Sequence, residues 1–162
     1  MKSDLLHITL SMLRIEDDEG VNETVQALKD IERELNELVH TVSFKVSQLD
    51  TFGQRVLFAK VYPDPNNVFM QILRLINRKI SQCSRKVQAN NKFEFVPHMT
   101  LVKVSRPVAR ARHSKYIPSR FYENHADDTF GVQRFDNLQL CVIDTETRAS
   151  DGFYHTLHEI DF

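Results

Sequence analysis

Two short stretches hold the residues best suited to acid–base chemistry, and they are near copies: Leu6-His7-Ile8-Thr9-Leu10 and Pro97-His98-Met99-Thr100-Leu101. In an extended strand successive side chains alternate faces, so each His shares a face with the Thr two positions on, and the apolar residues take the other face. If a sheet brings the two segments together, two imidazoles face one another with a hydroxyl beside each. Breaking a phosphodiester requires a proton taken from the attacking oxygen and a proton given to the leaving oxygen, and imidazole titrates close enough to neutrality to do either. Hydroxyl donors at Thr9 and Thr100 suit the non-bridging phosphate oxygens, where charge builds in the transition state. His7 and His98 are therefore the candidate catalytic pair and Thr9 and Thr100 the candidate phosphate holders.

A metal centre fits less well, because His-x-Thr gives one ligand per strand and no Cys or carboxylate stands at a supporting spacing. His155 and His158 are three apart on an expected strand and should face opposite sides. His40, His113 and His125 occur singly and are expected to be solvated. No metal and no cofactor is expected. After the second motif, Arg106, Arg110, Arg112 and Lys115 form a basic run that suits RNA backbone contact or, equally, a solvated loop. Phe52, Phe153 and Tyr154 are candidates for base stacking or for lining a cleft, with core packing as the alternative for each.

These residues must be positioned by a core, and the chain is long enough to make one: 162 residues, 41% hydrophobic. Lys and Arg (21) nearly balance Asp and Glu (22), so no global field draws the chain to nucleic acid or membrane. An anionic ligand must be met locally. Cys83 and Cys141 are the only cysteines, which points to reduced thiols in a cytoplasmic or nuclear protein. No run approaches the ~20 apolar residues of a membrane span, and Met1 to Asp4 leads into an alternating strand rather than a signal peptide. No membrane partner is expected.

Leu5 to Leu13 alternates as a strand, and the acidic cluster from Glu16 to Glu19 suits a helix N-terminus. Val21, Val25, Leu28, Ile31, Leu35 and Leu38 then form the apolar stripe of a helix. Strands are expected over Thr41–Leu49 and Arg55–Tyr62 about a turn containing Gly53, then a helix from Val68 to about Ser84. Lys92–Ser105 is the second motif strand, with Pro97 near its start. Pro107–Pro118 reads as irregular, Phe121 and Tyr122 as a short helix, and Arg134–Asp144 and Phe153–Phe162 as closing strands about a turn at Asp151-Gly152. The order is α+β, with antiparallel sheet and helices packed outside.

The paired motifs, His7-Ile8-Thr9-Leu10 and His98-Met99-Thr100-Leu101, resemble the signature of the 2H phosphoesterases, which include the 2′,5′ RNA ligase-like proteins. Within that group the chain is most similar to the phosphoesterase domain of A-kinase anchoring proteins and its relative in the activating-signal cointegrator complex. Thr51 to Lys60, Phe95 to Lys103 and Gly152 to His155 carry this likeness. The resemblance implies one domain over residues 1–162, bilobal and pseudo-symmetric, with one His motif on each lobe facing a central cleft. It implies a metal-independent phosphodiesterase for nucleotides or RNA ends, with 2′,5′-linked oligoadenylate or cyclic phosphates as substrates and a nucleotide or RNA oligomer as partner. A nucleotide-binding module without turnover and a structural interaction domain are the alternatives. Relatives carry a strand ahead of the first motif that is missing here. An open sheet edge, pairing with a second copy and an impaired site are the expectations that follow. No amphipathic helix follows Phe162, so kinase anchoring is not expected of this chain.

Overall fold

The computed structural model describes residues 5–90, 94–143, 150 and 152–162. Its strands are β1 (Leu13–Ile15), β2 (Ser43–Phe52), β3 (Val56–Asp64), β4 (Val87–Ala89), β5 (His98–Lys103), β6 (Thr129–Arg134), β7 (Asn137–Val142) and β8 (His155–Asp161). The helices are α1 (Asp18–Val39), α2 (Asn66–Ile80) and the short α3 (Arg106–Ala111). This is the expected α+β class with antiparallel pairing. No helix among the described residues is long and apolar enough to cross a membrane. The chain divides into two compact units, the first built from residues Met1–Thr9, Phe44–Tyr62 and Val96–Gln133, the second from Leu10–Ser43, Pro63–Phe95 and Arg134–Phe162.

The second unit is organised by its two long helices. Asp17 caps α1: its Oδ1 accepts from the Gly20 N–H at 2.9 Å, satisfying one of the donors a helix start leaves open. Lys86 Nζ lies 2.9 Å from Asp17 Oδ2 and also pairs with Glu19. The Gly20 N–H first, and Lys86 second, hold the Asp17 carboxyl below the usual carboxylate range. Of the expected stripe Leu28, Ile31 and Leu35 are buried and Val21, Val25 and Leu38 half-buried, while Ala27 and Val39 complete the buried face. It packs against α2, whose Phe69, Ile72, Leu73, Ile76 and Ile80 are buried in turn. Lys79 Nζ to Asp30 Oδ2, at 2.9 Å, ties the two helices together at the surface.

Gly20 is buried because β1 and the chain at Lys86 pass over it. A Cβ there would stand 2.8 Å from Ile15 Cγ2, a stiff β-branched group. Gly20→Ala is expected to destabilise the protein by about 1–3 kcal/mol, despite the better helix propensity of alanine. A lowered urea midpoint at unchanged slope would show it, and an unchanged midpoint would mean that β1 yields.

The expected strand over Leu5–Leu13 forms differently. Ile8 makes a single antiparallel bridge to Met99, whereas Leu13–Ile15 pair with β4 in the second unit, Leu13 opposite Ala89 and Ile15 opposite Val87. One alternating stretch is thus divided between two sheets, with the Asn90 N–H donating to the Met12 carbonyl at 2.7 Å just ahead of the β1–β4 ladder. Of the strand expected over Lys92–Ser105, Lys92 and Phe93 lie outside the described residues, and the ladder begins at His98, because Pro97 has no N–H to donate to it. The strand expected over Arg134–Asp144 divides at Phe135-Asp136 into the end of β6 and all of β7, and Asp144 and Asp151 lie outside the described residues. Short β4 and helix α3 arise where no element or an irregular run was expected.

The first unit is a four-stranded sheet in the order β5-β3-β2-β6. β2 and β3 are joined by a tight turn in which Gly53 (φ 56°) and Gln54 (φ 57°) are both left-handed. The Arg55 N–H donates to the Phe52 carbonyl at 3.1 Å. That conformation matches strand twist, and Gly53 adopts it without a Cβ clash. On one face Leu57, Val104 and Ile117 form a buried cluster joined by Leu49, Ala109 and Tyr122. The opposite face carries the motif residues.

Candidate active site

β5 runs antiparallel to β3 with Lys60 opposite His98, Ala59 opposite Met99 and Phe58 opposite Thr100. Leu57 is then opposite Val102, so Leu101 is an extra residue, a bulge directly after the motif. Cross-strand partners share a face, so His98, Thr100, Phe58 and Lys60 all project to one side, away from Leu57 and Ala59. Both motifs belong to the first unit, where the Ile8–Met99 bridge joins the two segments directly.

That bridge sets the geometry. Pairing Ile8 with Met99 in antiparallel sense puts His7 opposite Thr100 and Thr9 opposite His98, all four on the face that Ile8 and Met99 avoid. Directly opposite residues have Cβ atoms about 4.5–5.5 Å apart and diagonal ones about 7–8 Å. The imidazoles are the diagonal pair. Each therefore has the other motif's threonine as its near neighbour.

Both rings are held by the same local device. His7 Nδ1 lies 3.0 Å from the Leu5 carbonyl oxygen and His98 Nδ1 lies 2.7 Å from that of Val96. A carbonyl only accepts, so each Nδ1 carries its proton and donates it, and proton exchange is assigned to Nε2 in both rings. Pro97 keeps the preceding Val96 extended and so fixes where its carbonyl points. Nothing in the His-x-Thr pattern announces this contact; it uses the backbone two residues upstream.

The His98 ring is also packed. Phe52 stacks on Phe58 with centroids 4.1 Å apart and planes 21° from parallel. Both present to His98, Phe52 at 4.9 Å and 85° and Phe58 at 5.4 Å and 65°. Phe58 is buried, whereas Phe52 is 40% exposed and lies edge-on to the His98 ring. Beside them Lys60 Nζ is 3.3 Å from Asp50 Oδ2. Sequence reasoning missed Phe58 and Lys60. Their signal, two steps of alternation along β3, means little until β3 is known to be the neighbour of β5.

The other candidates are placed less closely. Arg106 and Arg110 lie on α3 and Arg112 at its end, all exposed, as is Lys115, whose Nζ sits over the Tyr116 ring at 5.1 Å. The segment is anchored to the hairpin by the Ile117 N–H, which donates to the Gln54 carbonyl at 2.7 Å. Phe153 and Tyr154 belong to the second unit and contact one another edge to face at 5.5 Å. His155 and His158 differ from expectation. Opposite Val142 and Leu140 respectively, with Leu157 bulged between, they share one face. Even so, no group of three or more metal-ligating side chains occurs among the described residues. Cys83 and Cys141 are free thiols, each raised above the usual thiol range chiefly by burial.

The family described as AKAP7 2'5' RNA ligase-like domain matches residues 1–162. A-kinase anchor protein 7 isoform gamma of Homo sapiens is 27% identical over 153 residues, covering 92% of this chain and 43% of the relative. The chain thus spans less than half the length of that relative.

Proposed function

The chain belongs to the AKAP7 2'5' RNA ligase-like domain family, a 2H phosphoesterase-type family, and we propose that it is a metal-independent phosphodiesterase acting on ribonucleotide phosphodiesters through His7 and His98. The favoured substrates are 2′,5′-linked adenylate oligomers, with cyclic phosphates and RNA 3′ ends in the same chemical class. The observation that carries this reading is the Ile8–Met99 bridge, which sets two imidazoles diagonally with a threonine hydroxyl beside each. One imidazole Nε2 takes the proton from the attacking oxygen, either water or the ribose hydroxyl next to the phosphate. The other, protonated, gives its proton to the departing ribose oxygen as the P–O bond breaks. Thr9 and Thr100 donate to the non-bridging oxygens, whose charge grows at that moment. Each ring keeps Nδ1–H on a backbone carbonyl throughout, so neither has to change tautomer or rotate to act.

The test is chromatographic analysis of products from 2′,5′- and 3′,5′-linked adenylate oligomers incubated in EDTA, beside a His7→Ala/His98→Ala control. Cleavage by the unaltered chain alone is the expected result, and the faster linkage defines the specificity. Binding of adenosine monophosphate by calorimetry without cleavage of any oligomer would replace the proposal with a nucleotide-binding module.

A further inference from the structure

The face that carries the motifs continues past His98. Along β3 the residues on that side are Phe58, Lys60 and Tyr62, and each meets a side chain of β2: Phe52 stacks on Phe58, Asp50 pairs with Lys60, and the Tyr62 hydroxyl donates to Gln48 Oε1 at 2.6 Å. At Gln48 the backbone is left-handed (φ 62°), a conformation that a non-glycine side chain rarely takes. It is held by the Gln48 N–H donating to Asp128 O and the Leu49 N–H to Ala126 O, both at 2.8 Å. Beyond this point lies a groove of about 350 Å³ lined by Lys45, Ser47, Gln48, Tyr62, Asp127 and Thr129. Its size falls in the roughly 300–1,000 Å³ range of small-molecule sites.

We propose that this groove is a further nucleotide subsite, holding the nucleotide one step beyond the two that flank the scissile phosphate of an oligoribonucleotide. It rests on the phosphodiesterase reading and extends it to substrate length. Tyr62 is 43% exposed and its hydroxyl is tied down, so the ring is a pre-oriented platform for a base. Lys45 is the cation for the adjoining phosphate, and Asp127 accepts from ribose hydroxyls or exocyclic amines. Lys60, opposite His98, stands between the two subsites. From Lys60 to Tyr62 is one two-residue strand step of about 6.6 Å, comparable to one nucleotide repeat of an extended single strand. A dinucleotide occupies the motif site alone; a trinucleotide reaches Tyr62.

The experiment compares kcat/KM and Kd for 2′,5′-linked adenylate dimer and trimer in the unaltered chain, Tyr62→Ala, Tyr62→Phe and Lys45→Ala. The trimer should be preferred by roughly 5–100-fold, the worth of one base–aromatic stack. In Tyr62→Ala the trimer-to-dimer ratio should fall toward one, and Tyr62→Phe should keep most of it. Lys45→Ala should reduce the salt slope of trimer binding by about one. No trimer preference in the unaltered chain, or a preference that survives Tyr62→Ala, overturns the subsite. Failure of cleavage is a separate outcome: if nothing is cleaved but trimer binding still depends on Tyr62, the phosphodiesterase reading falls and the subsite stands.

Discussion

Replacing His7 or His98 with alanine is expected to lower kcat/KM on the preferred adenylate oligomer by about 10²–10⁴-fold, the usual contribution of a general acid or base. That corresponds to about 3–5.5 kcal/mol of transition-state stabilisation at 1.36 kcal/mol per decade. The two losses should not add. Once one imidazole is gone, proton transfer at the other end cannot be concerted with it, so the double variant should be little worse than either single one. If the two-imidazole proposal holds, the unaltered chain should show a bell-shaped dependence of kcat/KM on pH, because one ring must be neutral and the other protonated, and each variant should lose one limb. His98→Gln is an informative companion: an amide retains a donor but cannot carry the proton. Initial rates across pH for the unaltered chain, the two single variants, the double variant and His98→Gln provide the check. A flat profile, or a single variant with unimpaired turnover, would remove the two-imidazole mechanism.

The candidate His-x-Thr pair was legible in the sequence because each motif needs only local geometry. Alternation puts His7 with Thr9 and His98 with Thr100 whatever the rest of the sheet does. Helices α1 and α2 were legible for a similar reason: stripes such as Leu28, Ile31 and Leu35, or Phe69, Ile72 and Ile76, repeat at helical spacing over several turns. Features that depend on partners were not legible. Leu5–Leu13 alternates without a break, yet Ile8 pairs with β5 and Leu13 with β4. No residue in that run marks where one sheet is left for another. Bulges are as silent. The extra residues Leu101 and Leu157 are ordinary strand formers, and each changes which later side chains share a face, which is why His155 and His158 come to the same side. Lys60 and Phe58 became site residues only through the register of β3 on β5.

Phe58 shows how much of the site depends on that register. Phe58→Ala is expected to cost about 3–5 kcal/mol, the usual range for emptying a buried aromatic position. Phe58 is only 3% exposed, and its ring supports both Phe52 and His98. Set against a total stability of about 5–15 kcal/mol, that loss leaves a marginal domain, so activity in Phe58→Ala cannot be separated from unfolding. Phe58→Leu makes the separation. It retains most of the apolar volume, should cost less than about 1.5 kcal/mol, and removes the flat surface on which Phe52 stacks. If the ring positions His98, kcat should fall well beyond the small change in folded fraction, and KM should change less. Urea midpoints at constant slope measure the stability part, and rates far below the midpoint measure the rest. Full activity in Phe58→Leu would mean that the Val96 carbonyl alone orients His98, and Phe58 would then be core filling that happens to touch the site.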